Sequence, residues 1–96
     1  MPLKKILVVE DYTDVAELIQ MQLERIGLTS LVATNGPEAL RKAQEEKPDL
    51  ILMDIVLPGM SGLDVARRLK SDPSTRSIPI LAVTAKAMPG DRGKCL

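Results

Sequence analysis

Short unbroken apolar runs alternate along this chain with stretches in which apolar residues recur every three or four positions. Ile6-Leu7-Val8-Val9, Leu50-Ile51-Leu52-Met53 and Ile80-Leu81-Ala82-Val83 are the unbroken runs. Runs of that length and composition predict strands buried on both faces, with Leu50 to Met53 the strongest. Leu31-Val32-Ala33 predicts a shorter strand. Between them, Val15, Leu18, Ile19, Leu23 and Ile26 fall at helical spacing. Ala39, Leu40 and Ala43 give a second helix a thin apolar face, and Leu63, Ala66 and Leu69 carry a third.

The punctuation between these segments agrees with their periods. Glu10, Asp11, Thr13 and Asp14 supply cap candidates and a negative first turn for the first helix, which suits the positive end of the helix dipole. Gly27 stands where that helix should stop. Asn35-Gly36-Pro37-Glu38 reads as a helix start with Pro at the first helical position. Lys47-Pro48-Asp49 breaks the second helix, and Ser71-Asp72-Pro73 ends the third. A loop runs from Leu57 through Pro58, Gly59, Met60 and Ser61 to Gly62, and Pro89 and Gly90 open a fourth helix. The order is βαβαβαβ with short connections. It predicts one α/β domain over residues 1–96: a doubly wound parallel sheet of four strands, right-handed crossovers, and helices on both faces.

Charge and composition narrow the function. The chain carries 13 basic and 13 acidic residues, for a formal net charge of zero. That balance gives no footprint for nucleic acid or for an anionic membrane. Tyr12 is the sole aromatic residue, so there is no platform for stacking bases. There is no histidine and one cysteine, Cys95, which excludes an internal disulfide and a Cys/His metal site. The apolar segment after Lys5 has four residues, too few for a signal peptide or a membrane span. The expectation is a reduced, cytoplasmic protein.

In an open parallel sheet, chemistry gathers at the carboxyl ends of the strands. The first strand ends in Glu10-Asp11, the third in Asp54 and the fourth in Thr84. Taken singly, each has an ordinary explanation as a helix cap or a turn former. Together they put three carboxylates and a hydroxyl on one rim. Carboxylates so close repel unless a cation sits among them, and an all-oxygen, partly open site suits Mg²⁺. A carboxylate beside that ion is also a competent nucleophile towards a phosphoryl group.

Three stretches carry a resemblance. Ile6-Leu7-Val8-Val9-Glu10-Asp11, the run from Asp49 through Asp54 to Gly62, and Ile78-Pro79-Ile80-Leu81-Ala82-Val83-Thr84-Ala85 resemble a response-regulator receiver domain of two-component signalling. The resemblance covers essentially the whole chain. It implies a flavodoxin-like sheet with strand order 2-1-3-4-5. It implies Asp54 as phosphoacceptor and Glu10 and Asp11 as the acidic Mg²⁺ pocket, with Asp11 the more direct ligand. It implies a metal contact from the backbone carbonyl of Val56, and Thr84 as the switch hydroxyl. The implied partners are a histidine kinase or phosphotransfer protein and a downstream protein target. The implied activity is phosphoacceptance rather than enzymatic turnover.

The family also has a fifth strand, ended by a phosphate-pairing lysine, and a fifth helix. These are expected beyond Leu96, and neither Lys86 nor Lys94 takes the lysine's place. A chain ending there is expected to be a truncated receiver whose fourth strand forms an apolar edge, and a dimer by edge pairing or segment exchange is expected. The alternative function is a signalling-incompetent fragment with a structural or dimerising role. A haloacid-dehalogenase-like phosphatase would need a second aspartate two residues after Asp54, where Val56 stands. A dinucleotide-binding fold would need a glycine-rich turn where Glu10-Asp11 stands, and there is no Walker-type loop.

Overall fold

The computed structural model describes residues 4–54, 57 and 59–83. Four strands and three helices alternate within them: β1 (Lys5–Val9), α1 (Thr13–Arg25), β2 (Thr29–Ala33), α2 (Gly36–Glu46), β3 (Leu50–Asp54), α3 (Gly62–Ser71) and β4 (Ile80–Val83). All pairings are parallel, in the order β2-β1-β3-β4. The parallel sheet is the one the alternation predicts, and its strand order is the flavodoxin-like one that the resemblance implies. The expected helix after Pro89 lies outside the described residues.

The chain leaves β1 for β2 on one side and then crosses to β3 on the other. Right-handed crossovers in opposite directions put their helices on opposite faces. α2 and α3 pack against one another, and α1 packs on β1 and β2. The main core lies under α2 and α3. Leu7, Val9, Ile51 and Met53 from the sheet meet Ala39, Ala43, Val65 and Leu69 from the helices. Ile6, Val8 and Ala16 are buried outside that cluster, on the α1 side. The sheet is less evenly covered than its apolar runs predict. β1 is buried from Ile6 to Val9, whereas Leu50 and Leu52 of β3 are only half-buried and Leu81 of β4 is 53% exposed. Those three belong to the face α1 occupies, and α1 reaches β1 and β2.

Local chemistry explains where the helices begin and end. The N-cap residue of α1 is Tyr12, which makes no side-chain cap bond, and of the predicted acidic residues Asp14 falls in the first turn. At its other end, Leu28 N–H donates to Leu23 O (2.9 Å) and Gly27 N–H to Glu24 O (3.0 Å). With Gly27 at φ +87° this is a Schellman stop, as the glycine predicts. α2 starts one residue earlier than expected, with Pro37 second in the helix. Asn35 Oδ1 accepts the Glu38 N–H (2.9 Å), and Glu38 Oε1 accepts from the N–H and hydroxyl of Thr34. The Thr34 N–H bond, helped by the Thr34 hydroxyl and Lys42, holds the Glu38 carboxyl below its ordinary range against a burial penalty. α3 is capped by Ser61, whose Oγ accepts the Leu63 N–H. That phase buries Val65 and Leu69 and turns Leu63, expected in the core, into solvent at 53% exposure.

Candidate functional site

Sheet register brings the acidic residues together. Val9 is level with Met53, so the next residue on each strand, Glu10 and Asp54, emerge side by side at the carboxyl edge. Glu10 is held there by its N–H, which donates to Ala33 O of β2 at 2.9 Å. Glu10 and Asp54 are both buried, and Asp11 is half-buried. One carboxylate oxygen from each of Glu10, Asp11 and Asp54 lies within 4.8 Å of the others.

The turn after β1 shapes the rest of the rim. Tyr12 N–H donates to Glu10 Oε2 at 3.1 Å, folding the turn back over the first carboxylate. Asp11, Tyr12, Thr13, Asp14 and Val15 line an open cleft of about 380 Å³. A larger groove of about 690 Å³ runs along α3 past Met60, Arg67 and Arg68. It contains none of the acidic trio, so volume alone would misplace the chemistry. The predicted metal contact at the Val56 carbonyl and the predicted switch hydroxyl of Thr84 lie outside the described residues. The ladder itself ends with Asp54 level with Val83.

Three carboxylates at this separation repel by at least about 3 kcal/mol per pair at an effective dielectric near 20. Folding holds them together because each is placed by the backbone: Glu10 by β2, Asp54 by β1 and β4, Asp11 by the start of α1. The Ala33 carbonyl and the Tyr12 N–H are the contributors that the sequence did not announce. Both are main-chain groups, so no side-chain pattern could have marked them.

A parallel four-stranded α/β domain with buried acid at its carboxyl edge is the CheY-like class of signalling fold. The profile of the response regulator receiver domain matches residues 6–96, and the chain belongs to that family. It is 48% identical over 88 residues to the polar-differentiation response regulator DivK of Brucella anthropi, an alignment covering 92% of this chain and 72% of DivK. Among solved structures, the N-terminal domain of a response regulator receiver protein from Methanoculleus marisnigri superposes with a TM-score of 0.84 at 36% identity, over 96% of this chain and 78% of that one. The receiver domain of the sensor histidine kinase PA1611 from Pseudomonas aeruginosa gives a TM-score of 0.81 at 34% identity, over 98% of this chain and 77% of that one. That structure holds a magnesium ion coordinated in its active site cleft. The chain is therefore a receiver domain of two-component signalling, as its three motifs imply. Among the described residues, no helix is long and apolar enough to cross a membrane.

Proposed function

We propose that this chain takes a phosphoryl group onto Asp54 from a phosphohistidine of a histidine kinase or phosphotransfer protein, with Mg²⁺ held by Glu10, Asp11 and Asp54. The observation that carries the reading is the convergence of those three carboxylates on one rim, with Asp54 at the end of a central strand. The donor set fits a small hard cation: it is all oxygen, two of its members are held rigidly by the sheet, and the half-buried Asp11 faces solvent that can complete the shell. When bound, Mg²⁺ neutralises charge on the transferring phosphoryl oxygens.

The chain's own residues do the remaining work. An Asp54 carboxylate oxygen forms a bond to phosphorus as the bond from phosphorus to the imidazole nitrogen of the donor breaks; the donor ring, protonated on its other nitrogen, leaves with that proton, giving an acyl phosphate and a neutral imidazole. The buried, strand-end position of Asp54 fixes its direction of attack, and the Tyr12–Glu10 turn keeps the rim in shape. We assign the Val56 carbonyl to the metal and the Thr84 hydroxyl to the phosphoryl group on the family pattern. The module acts as a stoichiometric acceptor rather than a turnover enzyme, in the cytoplasm with its kinase, and passes its signal to a protein target.

The test is intact mass after incubation with Mg²⁺ and a small-molecule phosphodonor. Gain of one phosphoryl group by the wild type, lost in Asp54→Asn and without Mg²⁺, is expected. A folded wild type that gains nothing, or an Asp54→Asn variant that gains as much, would refute the assignment.

A further inference from the structure

Met60 joins the segment that follows Asp54 to the start of α2. Its side chain is partly buried against the main core. Its sulfur closes over Gly36, the first residue of α2. A Cβ on that glycine would lie 2.5 Å from Met60 Sδ and 3.0 Å from Val65 Cγ2, so the gap is too small for a methyl group. Met60 also borders the open groove along α3, together with Asp64, Arg67 and Arg68. Filling a core gap is the ordinary use of a methionine. Met53 does so in the same core at full burial. Met60 differs in combining a tight seat with a way in from solvent.

We propose that Met60 is an oxidation site, through which a peroxide slows phosphoryl acceptance at Asp54; this rests on the function given above. The thioether sulfur gives an electron pair to one oxygen of hydrogen peroxide as the O–O bond breaks. The other oxygen leaves as water with both protons, so the sulfur is oxidised to the sulfoxide and the peroxide is reduced. The new oxygen has no place on the Gly36 side, where a methyl group would already clash. It is a strong acceptor, and the guanidiniums of Arg67 and Arg68 are donors on the groove side. Oxidation therefore draws the side chain off Gly36 and towards the groove. The tie that is lost holds α2 to the segment between Asp54 and Ser61, the cap of α3. That segment contains Val56, assigned above to the metal. Small displacements of such groups are costly to a group transfer. Met21 is 56% exposed and oxidises as well, but it lies on α1, outside that segment.

The test treats the whole chain with hydrogen peroxide and locates the sulfoxides by peptide mass. Two readouts follow: the initial rate of phosphoryl gain from a small-molecule donor with Mg²⁺, and the midpoint of urea unfolding. Met60 is expected to oxidise before Met53. The oxidised wild type is expected to lose rate roughly tenfold, with a lowered midpoint. A pair of methionine sulfoxide reductases, one for each epimer, restores both readouts. Met60→Leu keeps its rate and midpoint through the same treatment, which removes Met21 and Met53 from the account. Met60→Gln, with a polar side chain of similar length, lowers both without peroxide and carries the test if circular dichroism shows Met60→Leu unfolded. Full oxidation of Met60 with an unchanged rate overturns the proposal. So does an equal loss in Met60→Leu, or a Met60 no more reactive than Met53. An untreated wild type that takes no phosphoryl group refutes the function given above instead, and the midpoint then decides the displacement of Met60 by itself.

Discussion

Asp49 shows how much one exposed-side carboxylate organises. It stands just before β3, and its Oδ2 accepts the N–H of Lys4 (3.0 Å) and of Lys5 (2.9 Å) at the start of β1. Its own N–H donates to Lys5 O at 2.8 Å, so the two strands are clamped where their pairing begins. Those backbone bonds, that from Lys5 first and that from Lys4 second, hold the Asp49 carboxyl below its ordinary value, against a small opposing effect of desolvation. A carboxyl lowered by folding contributes stability that is full above its unfolded pKa, about 3.9, and is lost as pH falls through the lower folded value. Urea midpoints measured from neutral pH to well below pH 4 are expected to fall with acid, and Asp49→Asn is expected to flatten part of that fall. An unchanged slope in the variant would remove Asp49 from the account. The same scale explains what was legible in the acidic trio. Their residue types and strand-end positions could be read directly. The bond from Tyr12 N–H to Glu10 could not, because any residue other than proline supplies it.

At the scale of elements, the close approach of α2 to the loop before α3 is the tightest constraint near the site. Gly36 opens α2 and is buried. A Cβ there would lie 2.5 Å from Met60 Sδ and 3.0 Å from Val65 Cγ2. Alanine would improve helix propensity by at most about 1 kcal/mol, and less at a first-turn position. Overpacking of this kind costs about 1–3 kcal/mol, and Met60 is flexible enough to give way in part. The overpacking term wins, so Gly36→Ala is expected to destabilise by about 1 kcal/mol in urea denaturation. A stabilised variant would show that Met60 moves aside freely. This glycine was legible in sequence as part of a helix start, but its packing role was not. Met60 is 24 residues away in the chain and reaches it only through the crossover. Leu63 makes the complementary point: it falls at helical spacing with Ala66 and Leu69, yet the Ser61 cap sets a phase that buries Val65 instead.

The whole molecule is built asymmetrically. The α2/α3 face of the sheet is closed over Leu7, Val9, Ile51 and Met53, while the face carrying α1 covers β1 well and β3 and β4 partly. Two apolar residues of paired strands should therefore respond differently to polar or truncating change. Ile51 is fully buried, and Ile51→Ala is expected to cost about 2–5 kcal/mol. Leu81 is 53% exposed, and Leu81→Lys is expected to stay within about 0.5–1 kcal/mol of the wild type. Equal losses in thermal or urea unfolding would mean that both faces are closed in solution.

The sequence by itself determined the alternation of strands and helices, the parallel sheet and the residue types on its acidic rim, because period, glycine and proline act locally and the crossover rule does the rest. It also carried the three motifs of the receiver family. Only the tertiary structure decided which apolar positions are covered. Leu50, Leu52 and Leu81 sit in runs as apolar as the buried stretch from Ile6 to Val9 in β1, and their exposure depends on how far α1 reaches across the sheet. Tertiary structure likewise decided that Glu10 and Asp54 are neighbours. They are 44 residues apart in the chain, and the register of β1 on β3 is what brings their carboxylates to one rim.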